Sequence, residues 1–490
     1  MRLHREMLPV AEPHPSGSTA NDLVREKLVG YLNGLGLQVE VQTAQVADGL
    51  ALYNIIAKFP VGDSGRNPVV LCSHYDSCRR GPGAGDAGAC VVALLECARA
   101  IRAEPSTRPL FLLLTDGEEI AQQGAKEFVR AHPLASRKPF VINLDARGNR
   151  GPAIVYETHD NNLATIASIG NRLPSPRIVG SHFMRIAKAA PNRTDFRIFC
   201  RAGWPGVNIA LIDGVEYYHS PDDTIDALDP RSVQHLGETT LRIVRALDDA
   251  DDGALSTAGG AVFFDVVGLW VASIPTSWAL PASIIVASLV VIGHRRCLVG
   301  TARLAAAWRV FAALAIAVLT CAIVGAMFAA IAFVLFNDYR FAVLSLTREI
   351  SWLYAILSLV ITVLIFKRSL RGADVVQVDG YIWIGLALLG VLAAIFAPSF
   401  AHLALVPGVI AGVLAIAGVP VFARVLGCTV ATGLVLLPSL NLLGLVLLPF
   451  GGPVVCPAWS LLLWPMCSLF VSDPRGPRLL NDVLNRVNTG

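Results

Sequence analysis

RPLFLLLTDGEEIAQQGAKEF, Arg108 to Phe128, is the stretch whose reading decides the fold. PLFLLLT is a short unbroken apolar run of the kind buried in a central sheet, and EIAQQGAKEFVRAH continues with the spacing of a helix. Between the two stand Asp116, Glu118 and Glu119. Carboxylates bunched at a strand end repel one another unless a cation lies among them, so this turn is either solvated or holds an ion.

Working outward, the same alternation recurs. TANDLVREKLVGYLNGLG sets Leu23, Val24, Leu28, Tyr31, Leu32 and Leu35 at helical spacing, with Gly36 to close the helix. LQVEVQTAQV alternates as a strand, a second strand is expected over Leu52 to Lys58, and PVVLCSHYDS reads as a buried one. GACVVALLECARAI is helical and FVINLDA is another strand. Strands alternating with helices predict an α/β sheet covered by helices on both faces. In such sheets chemistry collects where strands end.

Five strand ends carry a side chain able to bind metal. His74 and Asp76 end VVLCSHYD, where residues two apart share a face. Asp86 sits in GPGAGDAGA, Glu118 and Glu119 follow PLFLLLTDG, Asp145 ends FVINLD, and His219 follows GVEYY. Singly, each has an ordinary explanation: a hydrogen-bonded turn, a helix N-cap at Asp86, acids favoured by a helix dipole at Glu118 and Glu119. Together, those explanations must hold five times independently.

The blocks SHYDS, GPGAGDAGACVVALLE, LLLTDGEEIAQQGAKEF, VINLDARGNRG and EYYHSPDDTID resemble the signature of metallopeptidase family twenty-eight, the co-catalytic zinc aminopeptidases. HPSGSTANDLVREKL and the apolar second half resemble its membrane branch, which includes the endoplasmic reticulum metallopeptidases and bacterial relatives. The resemblance implies a three-layer zinc-exopeptidase-like domain with a mixed, mostly parallel sheet, two Zn²⁺ ions and a peptide substrate. It implies that His74 and Asp145 bind one ion, Glu119 and His219 the other, and that Asp86 bridges them. It further implies Asp76 as the residue orienting His74, Glu118 as general base and Tyr218 as oxyanion donor, with Asp116, Asp195 and Asp223 as fold residues. Arg147, Arg185 and Arg193 could receive a substrate carboxylate, but the expectation is that they are solvated. An aminopeptidase is the first expectation, with a carboxypeptidase or dipeptidase on the same metals as the related one. A glutaminyl cyclase fits less well, since that branch works with one zinc. The rival class is a catalytically silent peptide-binding or transport-associated membrane protein.

From about Gly259 the composition changes to apolar runs near the length that crosses a hydrocarbon core. The expected organisation is a catalytic domain over 1–252, a linker over 253–260, an all-α membrane domain of about seven helices over 261–471 and a cytoplasmic tail over 472–490. The spans are read as 269–293, 309–336, 350–366, 381–397, 402–423, 425–450 and 453–471, with Ala261 to Pro275 as a further short or interfacial piece. Arg295, Arg296 and Arg303, then Lys367, Arg368 and Arg371, then Arg424, then Arg475 and Arg478 follow alternate spans, so the positive-inside rule puts the first domain outside the cytoplasm. Within the spans Asp265, His402 and Asn441 are the main polar residues, which leaves no charge relay of the kind a proton-driven transporter needs.

The start MRLHREMLPVAEPHPSGS has no apolar core or cleavage pattern, so a first membrane helix is expected upstream of residue 1. A net charge of +3 with no basic face excludes nucleic acid as a partner. Cysteines in the first part have no CxxC or zinc-finger spacing and read as core residues, with room for one disulfide. Only six of the 40 Lys+Arg are lysine, which suits a GC-rich bacterium and therefore a periplasmic face.

Overall fold

The computed structural model describes residues 2–432, apart from 8–11, 47–48, 61–64, 175–177, 190–193, 253–258, 267, 299–302, 337–346 and 372. The chain divides after Pro275 into two compact units. The expected linker lies almost wholly, and the expected tail and last span wholly, outside the described residues.

In the first unit, α1 (Arg2–Met7) and α2 (Thr19–Gly34) precede β1 (Gln38–Gln45), β2 (Ala51–Lys58) and β3 (Val69–His74). Then come α3 (Cys90–Ala103), β4 (Leu110–Thr115), α4 (Gln123–Ala131), β5 (Phe140–Ala146) and β6 (Arg150–Thr158). Next are α5 (Leu163–Ile169), α6 (Ser181–Ala189), α7 (Asp195–Arg201), β7 (Gly206–Asp213) and α8 (Pro230–Asp248). The seven strands form one mixed sheet in the order β1-β2-β4-β3-β5-β7-β6. Its centre, β4-β3-β5-β7, is parallel, while β1, β2 and β6 complete the edges through antiparallel pairs. β3 and β5 are buried along their whole length, as their unbroken apolar runs require.

Helices cover both faces. Val70 and Cys72 of β3 pack with Phe128 of α4, Phe196 and Phe199 of α7, and Trp204. On the other face α3 lies against α8, where the Cys97 thiol reaches the Gly237 carbonyl at 3.4 Å. α2 buries Val24, Leu28 and Leu32, is capped by Ser18 and ends at Gly36 with φ +72°. Leu23 falls off the expected apolar stripe and is exposed.

Ala261 to Pro275 differs from the membrane assignment that hydropathy suggests. It is a hairpin, β8 (Ala261–Val266) against β9 (Trp270–Pro275). Asp265 Oδ1 accepts the Gly268 N–H at 2.8 Å to close its turn, and the Ala261 N–H donates to Asn162 Oδ1 at 2.9 Å, so the hairpin is stitched to the first unit. Apolar residues here satisfy a sheet's alternation, which a hydropathy window does not distinguish from a span.

In the second unit three described helices are long and apolar enough to cross a membrane: Thr276–Gly293, Ala305–Val324 within Arg303–Phe336, and Val375–Phe396. Thr347–Ser369 is a further helix. The expected span 402–423 is the shorter apolar helix His402–Ile416, and the next apolar helix, Val421–Thr432, starts four residues before the expected span 425–450, most of which lies outside the described residues. They part where Gly418 adopts φ +72° and Pro420 interrupts the donor ladder. Asn441 lies outside the described residues. The expectation of few polar side chains needs one correction: Asp379 and Arg424 are both buried and paired, Nη2 to Oδ2 at 2.6 Å, with His294 Nε2 at 3.6 Å from the same oxygen. Each charge stands near a helix end, which is why neither stood out inside an apolar window.

Removing one partner of a buried pair strands the other. Asp379→Leu is therefore expected to destabilise the detergent-solubilised protein by about 3–5 kcal/mol in thermal unfolding. Adding Arg424→Met to that variant should recover most of the loss.

Candidate metal centre

Because β4, β3, β5 and β7 run the same way, their carboxyl ends open on one edge of the sheet. β3 ends on His74, and the loop beyond it carries Asp76 and Asp86. β4 leads into Asp116, Glu118 and Glu119, and Asp145 is the next-to-last residue of β5. β7 is followed by the short helix Val215–Tyr217, then Tyr218 and His219. His219 has φ +55°, a strained conformation for a side-chain-bearing residue and one that persists where surrounding structure enforces it.

The five residues expected as ligands come together. His74 Nε2 lies 3.2 Å from Asp86 Oδ1 and 3.7 Å from Asp145 Oδ1. His219 Nε2 lies 3.2 Å from Asp86 Oδ2 and 3.0 Å from Glu119 Oε1. Each Asp86 oxygen thus faces a different imidazole. The donors form two groups, His74 with Asp86 and Asp145, and Cys78 with Glu119 and His219, each with its ligand atoms within 4.8 Å of one another. Donors held at about 2.0 to 2.3 Å from a shared zinc stand at most about 4.6 Å apart, so each group is close to the required compactness. Imidazole, carboxylate and thiol are the donor types zinc takes. Glu119 Oε1 is buried, with His219 Nε2 as its polar neighbour.

Asp76 acts on two neighbours. His74 Nδ1 lies 2.9 Å from the Asp76 backbone carbonyl and 3.5 Å from its Oδ1, so the nearer acceptor orienting the ring is the main chain. The carboxylate itself accepts the N–H of Glu118 at 3.1 Å and of Glu119 at 3.3 Å. This grip changes the turn: helix α4 begins at Gln123, not at Glu119, because Ala121 and Gln122 take left-handed φ of +72° and +58°. Gln122 Nε2 then donates back to Glu118 Oε1 at 2.9 Å.

Asp116 answers to the fold: it accepts from Ser16 Oγ at 2.7 Å and from the Tyr53 N–H at 3.1 Å. Asp195 accepts from Thr115 Oγ1. Asp223 holds the Asp86 loop, accepting the Gly85 N–H at 2.8 Å and the Asp86 N–H at 3.1 Å. Burial, foremost, pushes each of these three carboxyls up to about 7.

Around the two imidazoles charge pairing governs. Burial opposes a charged His219, but Asp86 and Glu119 outweigh it and push the ring up to about 10. His74 is likewise raised well above its ordinary value by Asp145, Asp76 and Asp86, against its burial. Burial would raise Asp86, yet the two histidines bring it down to about 2. Glu118 is raised well above the carboxylate range, chiefly by burial, with Asp145, Asp195 and Glu119 adding and His74 opposing. Burial also keeps the Tyr218 phenol well above its usual value and therefore protonated. Its ring stacks on His219 with centroids 3.8 Å apart.

Two participants were not among the expected residues. Cys78 joins Glu119 and His219; it follows Asp76 by two residues, a proximity visible in the sequence but uninformative without the loop's path. The five cysteines of this unit are all free. Arg147 is not solvated as expected: its Nε and Nη1 are buried, and its Cζ lies 5.5 Å from the centre of the Tyr218 ring. Arg185 is exposed, and Arg193 lies outside the described residues.

Residues 54–244 match the sequence profile of Peptidase family M28. The first unit carries a peptidase family M28 domain. The chain is 28% identical over 303 residues to endoplasmic reticulum metallopeptidase 1 of Mus musculus, covering 56% of this chain and 34% of that protein. It is 30% identical over 233 residues to the Homo sapiens protein of the same name, covering 46% and 26% respectively. With the vacuolar membrane protease of Schizosaccharomyces pombe it shares 25% identity over 282 residues, covering 54% and 33%. The chain thus spans about a third of the length of the curated relatives it matches. Among solved structures, Macrostomum lignano glutaminyl cyclase aligns at 18% identity and TM-score 0.42, over 51% of this chain and 89% of that one.

Metal uptake must displace the protons that Asp86 and Glu119 hold on His219. The sign is fixed by the raised value of about 10: apparent zinc affinity at pH 7 should rise as pH increases toward that value. Calorimetry in buffers of differing ionisation enthalpy should register proton release. Zinc should also slow alkylation of Cys78 by iodoacetamide, followed on its own peptide by mass spectrometry, while Cys200 reacts at an unchanged rate.

Proposed function

We propose that this chain is a membrane-anchored two-zinc exopeptidase, in the first instance an aminopeptidase, whose M28 domain works outside the cytoplasm. The observation that carries the reading is the division of Asp86, with Oδ1 toward His74 and Oδ2 toward His219, both at 3.2 Å. One carboxylate facing two separate donor groups suits a pair of ions better than one. His74, Asp145 and Asp86 would hold the first zinc, and Glu119, His219 and Asp86 the second. Bound there, zinc supplies Lewis acidity that polarises the peptide carbonyl and makes water a nucleophile near neutral pH.

The protein's own groups manage the protons. Glu118 lies beside the ligands without belonging to either donor group, and its elevated pKa lets it receive a proton from attacking water and return it to the departing amine. Gln122 orients that carboxyl. Tyr218, protonated and stacked on His219, would donate to the tetrahedral oxyanion. The alternating arginine-rich connections support an orientation in which the peptidase unit faces the periplasm.

The full chain, purified in detergent and loaded with zinc, should hydrolyse aminoacyl reporter substrates. Glu118→Gln should lower kcat by about 10²- to 10⁴-fold with two zinc ions still bound. If wild type and variant are equally inert with zinc in place, the domain is a peptide-binding module.

A further inference from the structure

A buried cation with no counter-charge is costly, so a guanidinium left in that condition marks where an anion belongs. Arg147 comes close to that condition: the residue is half-buried, and two of its three guanidinium nitrogens are shut off from water. Its backbone is fixed, with its N–H donating to the Leu211 carbonyl at 2.8 Å, so β7 sets the direction from which the side chain departs. Its Nε and Nη1 are inaccessible to solvent and make no hydrogen bond among the described residues. Nor does it form an ion pair within 4.0 Å among the described residues: Asp86 and Asp145 are felt across space but do not meet it. Tyr156 and Tyr218 stand nearby, and the guanidinium carbon lies 5.5 Å from the Tyr218 ring, which itself stacks on His219. The cation is therefore two ring contacts from an expected ligand, a separation that one or two residues of extended peptide span at about 3.5 Å each.

Resting on the peptidase reading above, we propose that Arg147 is a specificity residue that receives a carboxylate of the substrate beside the scissile bond. The neighbouring acids decide the character of the partner. With Asp86 and Asp145 engaged by the histidines, the local anions are committed, and an incoming carboxylate has the geometry to complete the arginine's fork. In a dipeptide the α-carboxylate follows the scissile amide by a single residue, so it enters with the peptide itself; the alternative source is an acidic side chain. The substrate class that follows is short peptides bearing a carboxylate within one residue of the cleaved bond, with dipeptides foremost. Processive trimming of long chains does not use this cation.

The test compares Ala-Ala, its C-terminal amide Ala-Ala-NH₂, and Asp-Ala-NH₂ and Ala-Asp-NH₂, which carry a carboxylate only on a side chain. The full chain in detergent with zinc should prefer Ala-Ala over its amide by about 10- to 100-fold in kcat/KM, the scale of a hydrogen-bonded charge. Arg147→Gln should abolish that preference through KM, leave the amide's kcat within about twofold, and keep zinc stoichiometry and melting temperature. Arg147→Lys should retain part of it. A preference for either acidic amide over Ala-Ala-NH₂ that is lost in Arg147→Gln keeps the carboxylate role and moves its source to the side chain. Equal rates on all four substrates in wild type, or an equal kcat loss on all four in Arg147→Gln, overturns the proposal and leaves the peptidase reading standing. Calorimetric binding of the same four compounds to zinc-loaded Glu118→Gln, with and without Arg147→Gln, reads the subsite independently of turnover. If no substrate is hydrolysed, the peptidase reading falls; Ala-Ala binding that depends on Arg147 then keeps the carboxylate subsite alone, and binding indifferent to Arg147 sinks both.

Discussion

The crowding of acids at one edge of the sheet is the constraint on which the rest of the first unit depends. Asp76, Asp86, Glu118, Glu119 and Asp145 gather around two imidazoles, with Asp116, Asp195 and Asp223 close behind. Two carboxylates about 4 Å apart repel by about 4 kcal/mol at an effective dielectric of about 20. Such a concentration survives folding only where each charge is neutralised, hydrogen-bonded or paired. The fold uses all three: the outer acids take backbone N–H groups or hydroxyls, burial favours their neutral forms, and the inner ones face histidine.

That arrangement makes the parallel centre of the sheet more than a scaffold. Four strands ending together place His74, the acidic turn, Asp145 and the segment before His219 within one opening, which no local stretch of chain could do. The acidic turn is then shaped by Asp76, whose carboxylate takes the N–H of Glu118 and of Glu119. One of these acids is thereby directed toward His219, while the other is left to Gln122. The different surroundings of two adjacent, chemically equivalent residues come from a third residue, in the loop that follows the neighbouring strand.

Much of this was legible in the sequence. The unbroken apolar runs marked β3, β4 and β5 as central strands, and acids and histidines at strand ends marked the site. Less legible was whatever depended on a partner distant along the chain. The start of α4 moved from Glu119 to Gln123 because hydrogen bonds from Asp76 compete with helix formation, and Glu119 carries no sign of that competition. Arg147 reads as a surface residue by composition, yet it is half-buried beside Tyr156 and Tyr218. Asp379 and Arg424 escaped notice because each lies near a helix end while their helices pack side by side. Ala261 to Pro275 was misjudged since average hydropathy carries no information on alternation, and the hairpin's anchors, Asn162 and Ser181, lie far upstream.

Asp223 has a consequence for the choice of cation. Its carboxylate binds the main chain at Gly85 and Asp86, and its own carbonyl receives the Ala84 N–H at 3.1 Å, while its N–H returns to Ser220, the residue after His219. The two sides of the cage are thereby laced together by backbone, and Gly81 lets them approach so closely that an added Cβ would fall 2.1 Å from the Ser220 carbonyl oxygen. The width of the opening is thus dictated by the polypeptide before any guest arrives. For the metal site proposed above, such a lacing would favour small, tetrahedrally inclined cations over a large oxygen-seeking one such as calcium, whose higher coordination number asks for a wider opening.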